Sequence, residues 1–175
     1  SCHREENLDN EKNLFKLFDV IDNLSEIYKL PIIFSVHPRT KLKIEKYKKT
    51  FSPLVKLLKP LGFFDYLKLQ IDSKVVLSDS GTITEESSIL NFPALNIRNT
   101  HERPEGMEES SVMLVGMNIQ RIMQALNILE DQNRGEMRTL NLVKDYSSDN
   151  VSEKIVRIIL SYVDYTNIYN WKKSL

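Results

Sequence analysis

Val75-Val76-Leu77-Ser78-Asp79-Ser80-Gly81-Thr82-Ile83-Thr84-Glu85-Glu86-Ser87-Ser88-Ile89-Leu90 is the stretch whose reading settles the fold class. Val75 to Ser78 is a short apolar run suited to a buried strand. Asp79-Ser80-Gly81-Thr82 is a small, flexible turn, and a helix follows through Leu90. The same alternation continues on either side. Upstream, Leu14, Leu17, Phe18, Ile21, Leu24 and Ile27 recur at helical spacing within Asp9 to Tyr28. Ile32 to Val36 reads as a strand, His37-Pro38-Arg39-Thr40 as a break, and Lys41 to Lys49 as a charged helix. Pro53 to Leu58 is a weaker strand. Phe63 to Asp72 is a short helix with Phe64, Leu67 and Ile71 on one side. Downstream, Pro93 to Ile97 is a strand, Arg98 to Glu109 a polar loop, and Val112 to Val115 a last strand. Ile119 to Leu129 is an amphipathic helix and residues 131–150 connect. Val151 to Val163 is a helix striped by Ile155, Ile158, Ile159 and Tyr162. Short apolar strands alternating with helices predict an α/β, Rossmann-like parallel sheet with helices on both faces. Ligands of such sheets sit at the carboxyl ends of the strands, where His37, Asp79 to Thr82 and Arg98 to Glu105 fall.

Composition narrows the function classes. With 175 residues the expectation is one domain with a core of its own. Lys and Arg number 24 against 24 Asp and Glu, so the electrostatic footprint of a general nucleic-acid binder is missing. One Cys, Cys2, excludes a disulfide framework and a Cys-rich zinc site. No apolar run approaches the roughly 18 residues of a membrane span. Ser1 to Asn7 reads as neither a signal nor a transit peptide. A cytoplasmic protein with no nucleic-acid or membrane partner is the expectation.

Each candidate motif has two readings. The helix start at Ser80 to Thr82 offers backbone amides for a phosphate, Ser80 adds a hydroxyl, and Gly81 allows close approach. The same residues also read as ordinary capping, with Thr82-x-x-Glu85 as a capping box. That leaves Glu86 unexplained. His3 and Arg4, ahead of the first helix, fit a diphosphate clamp or a frayed polar terminus. Arg98 and Arg103 either hold an anion or pair with Glu102 and Glu105. His37 has no second His or Cys at metal-ligand spacing, so no metal is expected. Asp65 and Tyr66 read as surface helix residues. Cys2 beside His3 is a poor nucleophile candidate. Neither dinucleotide nor P-loop fingerprint is present, and no nucleophile elbow.

Taken in order, His3-Arg4-Glu5-Glu6-Asn7, His37-Pro38-Arg39-Thr40, Asp79 to Glu86 and His101-Glu102-Arg103-Pro104-Glu105 resemble the second half of the non-hydrolysing UDP-N-acetylglucosamine 2-epimerases. Similarity runs from His3 to about Leu129. Ser78 to Glu109 is most similar to the branch that makes UDP-N-acetyl-L-fucosamine, which epimerises UDP-2-acetamido-2,6-dideoxy-L-talose at C2 for capsule and O-antigen. The resemblance implies the C-terminal half of a GT-B enzyme: a nucleotide-sugar-binding domain over residues 1–175, with a core of about 3–130 and C-terminal helices over 151–175. It also implies that the N-terminal domain, which carries the catalytic carboxylates in the family, is absent from these residues.

What the resemblance implies for function is UDP elimination and re-addition by the whole enzyme, with this segment alone inactive. UDP or a UDP-N-acetyl amino sugar is the partner, no cofactor is needed, and a homodimer is among the expectations. It implies that His3 and Arg4 lie beside the diphosphate and that Ser80, Gly81 and Thr82 cradle it. Glu86 accepts the ribose hydroxyls, Arg103 is a cleft arginine near the phosphates, and Tyr66 lies near the uracil. His37 matches a residue near a regulatory nucleotide-sugar site. Two positions depart from the pattern: many members have a second glycine at Thr82, and a polar residue at Leu61. Two other readings share the same pocket, the donor half of a GT-B glycosyltransferase and a non-catalytic nucleotide-sugar-binding module.

Overall fold

The computed structural model describes residues 1–173, apart from the side chains of Glu5 and Glu6. Ser174 and Leu175, the end of the expected helical segment 151–175, lie outside the described residues. The chain divides into two compact units, residues 1–143 and the residues from 144 onward.

The first unit alternates helices and strands. In chain order they are α1 (Glu5–Leu8), α2 (Glu11–Tyr28), β1 (Ile32–Ser35), α3 (Pro38–Lys46), β2 (Val55–Leu58), α4 (Phe63–Asp72), β3 (Val76–Ser78), α5 (Thr82–Leu90), β4 (Ala94–Asn96), α6 (Pro104–Glu108), β5 (Met113–Leu114) and α7 (Ile119–Leu129). Three boundaries differ from the sequence reading. The helix expected from Asp9 starts at Glu11, because Asn10 caps it by accepting from the N–H groups of Lys12 and Asn13, and the short α1 precedes it. The expected break at His37 is the start of α3: His37 is the cap and Pro38 occupies the first turn, where its missing N–H costs nothing. The polar loop after β4 contains α6, also opened by a proline.

Every strand pair is parallel, but the strands form two sheets rather than the single one expected. β1 pairs with β2, Ile32 opposite Val55, and β3-β4-β5 form the other, with Leu95 between Leu77 and Met113. Alternate residues of β4 point to opposite faces. Leu95 and Ile97 join Leu14, Leu17, Phe18 and Ile21 of α2 and Ile122, Ala125 and Leu126 of α7 in one core. Ala94 joins Ile83 of α5, Phe92 and Val112 in a second. Helices therefore cover both faces of this sheet, as the apolar strands predict.

α4 is turned from its expected orientation. Phe64 is 83% exposed and Gln70 only 2%, so the inward stripe is Tyr66, Leu67 and Gln70. The second unit holds a short 3₁₀ turn at Lys144–Tyr146, α8 (Val151–Tyr165) and a π-helical turn at Thr166–Asn170. On α8 the stripe of Ile155, Ile158, Ile159 and Tyr162 is exposed. No helix among the described residues is long and apolar enough to cross a membrane.

Candidate functional site

Asp79, the first residue after β3, organises the site. Its side chain is fully buried, and it accepts hydrogen bonds from four residues near the start of the chain. The His3 N–H lies 3.1 Å from both carboxylate oxygens, the Arg4 N–H 2.9 Å from one, the Asn7 amide 3.1 Å and the Cys2 thiol 3.0 Å. His3 Nδ1 stands 3.2 Å from the other oxygen. A buried carboxylate is costly unless its lone pairs are filled, and here they are. Burial alone would raise the Asp79 pKa. The hydrogen bonds from Cys2, the Arg4 N–H, Asn7 and the His3 N–H outweigh it and hold the carboxyl below the usual carboxylate range.

These bonds exclude a frayed terminus: residues 1–4 are fixed against the end of β3. They also define Cys2. Burial, followed by the neighbouring Asp79 charge, pushes the thiol pKa far up, so Cys2 is a neutral hydrogen-bond donor.

Beside Asp79, the chain turns into α5. The Ser80 hydroxyl is 2.9 Å from the Thr82 hydroxyl and accepts from the Thr82 N–H at 3.3 Å, while the Ser80 N–H bonds to Ser78 Oγ at 3.1 Å. Thr82 is exposed and Ser80 half-buried, so both hydroxyls reach the surface at a helix N-terminus. The capping box does not form. Gly81 is the cap, with no side-chain bond, and Glu85 instead accepts from Arg103 Nε at 2.6 Å. Gly81 has φ −66°, so its value is space rather than a special backbone angle. A Cβ there would meet Glu102 Oε2 at 2.9 Å and the Arg103 guanidinium at 3.7 Å.

The loop after β4 closes over this corner. Arg4 donates to both oxygens of Glu102, at 3.0 and 2.8 Å, and the buried Arg98 pairs with Glu102 at 2.7 Å. Arg98, then Arg4, hold the Glu102 carboxyl below its ordinary range. Both arginines of the loop are thus in contact with carboxylates, Arg98 with Glu102 and Arg103 with Glu85. Gly106 allows the close approach: a Cβ there would lie 2.1 Å from Thr84 Cγ2, so any side chain would push α6 away from α5.

One turn along α5, Glu86 is half-buried and accepts from Gln70 Nε2 at 2.5 Å. The other amide atom of Gln70, Oε1, is buried without a partner. Tyr66 is half-buried one turn before Gln70. Burial raises its phenol pKa, hydrogen bonds with Ser1 and Ser78 pull it down, and the charge of Glu86 adds to the rise. Tyr66 is therefore not a surface residue as first read; Asp65 is.

The structure brings His3, Arg4, Ser80, Gly81, Thr82 and Arg103 to one corner, with Glu86 and Tyr66 joined to it through α5 and Gln70. His37 is different. It is exposed, and its Nδ1 accepts from the Arg39 N–H at 3.4 Å, a local capping contact. Among the described residues no group of three or more His, Cys, Asp or Glu is placed to hold a metal ion. Sequence reasoning missed Asp79, Gln70 and Gly106 as components. Asp79 stood within the quoted motif, and a polar residue at the strand's end was the available signal. Gln70 gave none, since its partner lies on another helix.

The family described as UDP-N-acetylglucosamine 2-epimerase matches residues 1–160. A curated relative from Methanocaldococcus jannaschii, a UDP-N-acetylglucosamine 2-epimerase, is 34% identical over 169 residues, 94% of this chain and 44% of its own. A solved UDP-N-acetylglucosamine 2-epimerase from Rickettsia bellii is 42% identical with a TM-score of 0.80, covering 99% of this chain and 46% of that one. The M. jannaschii enzyme solved with UDP-GlcNAc and UDP also has a TM-score of 0.80, at 32% identity over 91% of this chain and 44% of that one. The chain spans somewhat under half the length of the relatives it matches. Motif order, parallel α/β architecture and these matches agree: the chain belongs to the UDP-N-acetylglucosamine 2-epimerase family.

Proposed function

We infer that the Asp79 corner binds the UDP moiety of a UDP-sugar, as the nucleotide-binding domain of a C2 epimerase. The observation that carries this reading is the attachment of the His3–Arg4 segment to the Ser80–Thr82 helix start through buried Asp79. That attachment sets cationic and hydrogen-bonding groups against a helix N-terminus, an arrangement suited to a diphosphate. The amides and hydroxyls at Ser80 to Thr82, with His3, Arg4 and Arg103, stabilise charge on the departing UDP. Glu102 holds Arg4 and Glu85 holds Arg103 beside the helix start, so both guanidinium charges face the phosphates. Glu86 accepts the ribose hydroxyls, and Tyr66 lies toward the uracil.

The reaction of the whole enzyme is elimination of UDP to a 2-acetamidoglycal-type intermediate and re-addition, with inversion at C2. No catalytic carboxylate is assigned on this chain; they belong to a second domain across a GT-B cleft. Thr82, with the Ser78 to Glu109 motif, supports the branch that forms UDP-N-acetyl-L-fucosamine for capsule or O-antigen in the cytoplasm. His37 remains a candidate contact for a regulatory nucleotide-sugar only. Titrating UDP into the chain while following melting temperature tests the reading. A rise at millimolar UDP is expected, and an unmoved transition would overturn it.

A further inference from the structure

The loop after β4 carries a carboxylate to the place where an anion bound at this corner would sit. Arg4 presents both terminal nitrogens to Glu102, Nη1 to Oε1 at 3.0 Å and Nη2 to Oε2 at 2.8 Å. That two-pronged fit is how a guanidinium takes up either a carboxylate or a phosphate. Arg98 brings a second guanidinium, with Nη1 at 2.7 Å from Oε1, and its side chain is only 5% exposed. A cation so buried needs an anionic partner. The same carboxylate reaches the start of α5: Oε2 lies 2.9 Å from the point where a Cβ on Gly81 would stand. Glu102 therefore sits among two arginines and a helix N-terminus, each of which favours negative charge.

The segment that carries Glu102 is short and anchored at both ends. Behind it, Ile97 is in the core and the Arg98 N–H bonds to Asn96 Oδ1 at 3.1 Å. Ahead of it, Gly106 is pressed against Thr84. Between the anchors, Asn99, Thr100 and Glu102 are exposed, and the Arg103 N–H bonds locally to His101 Nδ1 at 3.2 Å.

We propose that Glu102 is a stand-in for phosphate and a determinant of specificity: its carboxylate fills the anion seat of the empty site, and a multiply charged phosphate displaces it. This rests on the reading of the corner as a UDP site and adds an internal competitor to it. Two anions cannot share the seat, because like charges at contact repel. A diphosphate takes over the Arg4 fork and the charge of Arg98, and residues 99–102 swing out between their anchors. An anion of single charge gains little over the carboxylate it must replace, so the exchange selects diphosphates over carboxylates and weakly charged phosphates. A methyl at Gly81 would stand in the seat itself and bar carboxylate and phosphate alike.

The test is a calorimetric titration of inorganic pyrophosphate into the 175-residue chain and its Glu102→Gln and Glu108→Gln variants. Glu108, exposed on α6, controls for charge alone. Glu102→Gln is expected to bind pyrophosphate about tenfold more tightly than the parent, having lost the charged competitor. Glu108→Gln should change affinity by less than about twofold. Backbone ¹⁵N relaxation reads the exchange in the parent chain, and it decides alone if Glu102→Gln does not fold. Order parameters at Asn99 to Glu102 should fall when pyrophosphate saturates the site, while those of α6 hold. Equal or weaker binding by a folded Glu102→Gln chain would overturn the proposal, as would unchanged or greater order at Asn99 to Glu102 in the saturated parent. If the parent binds UDP in either of those cases, the UDP reading stands and only the stand-in falls. If neither the parent nor Glu102→Gln binds UDP or pyrophosphate, both fall.

Discussion

Two strand ends in this chain look alike in sequence and behave differently in space. After β1 comes His37-Pro38-Arg39; after β3 comes Asp79-Ser80-Gly81. Each is a polar turn that starts a helix at the carboxyl end of a parallel strand. The His37 turn is self-contained: its side chain accepts from a residue two positions away and stays exposed. The Asp79 turn gathers bonds from residues 72 to 77 positions away, and through Gly81 it meets the loop that carries Glu102 and Arg103. Polar residues at a strand end are common. Here the start of the chain is fixed on one buried carboxylate and the loop after β4 closes on the same turn at Gly81, which is the preorganisation that a charged ligand needs.

Substitutions at the two turns should therefore diverge, and the largest effect is expected at Asp79. Asp79→Ala leaves the His3 and Arg4 N–H groups, Asn7 and Cys2 without their acceptor. A loss of about 3–5 kcal/mol is expected in chemical denaturation. The pH dependence has a definite sign. The folded pKa lies below the ordinary 3.8, so the Asp79 contribution is complete above that value. It is lost as pH falls through the depressed folded value. Asp79→Asn should remove that acid limb from a stability profile between pH 2 and pH 5.

Glu86→Ala should come next, weakening UDP binding by about 1–3 kcal/mol in calorimetry through lost charged hydrogen bonds. Gln70→Leu separates holding Glu86 from folding. It removes the donor to Glu86 and also the orphaned buried oxygen, so stability should hold while UDP affinity falls about threefold to tenfold. Gly81→Ala places a methyl against the Glu102 carboxylate and displaces its pairing with Arg4. A tenfold loss of UDP affinity, about 1.4 kcal/mol, is expected with the fold intact. Smallest of all is His37→Ala, which loses one cap contact and should cost under about 1 kcal/mol of stability and leave UDP affinity unchanged.

Much of this was readable without coordinates because the local signals agreed. Helical spacing located α2 and α7, and the Val75 to Leu90 pattern located β3 and α5 to within a residue or so. What failed was everything that depends on a partner distant in the chain. The apolar side of α4 was misassigned because Gln70 turns inward to Glu86, and no periodicity encodes that pairing. The Thr82–Glu85 capping box was reasonable locally but lost to Arg103, whose charge offers Glu85 a stronger partner than a backbone amide does. The division into two sheets was invisible too, since each strand is apolar enough to be central. Of the candidate site, the residue types were visible in the motifs. The buried acceptor that assembles them was not, because burial of Asp79 follows from the packing of the whole corner.

A backbone amide NMR titration of the chain with UDP is the most direct test. Shifts are expected at Arg4, Ser80, Gly81, Thr82, Glu86 and Arg103, with the amides of His37 and Arg39 unmoved. Shifts centred on the His37 turn, or none at millimolar UDP, would contradict it.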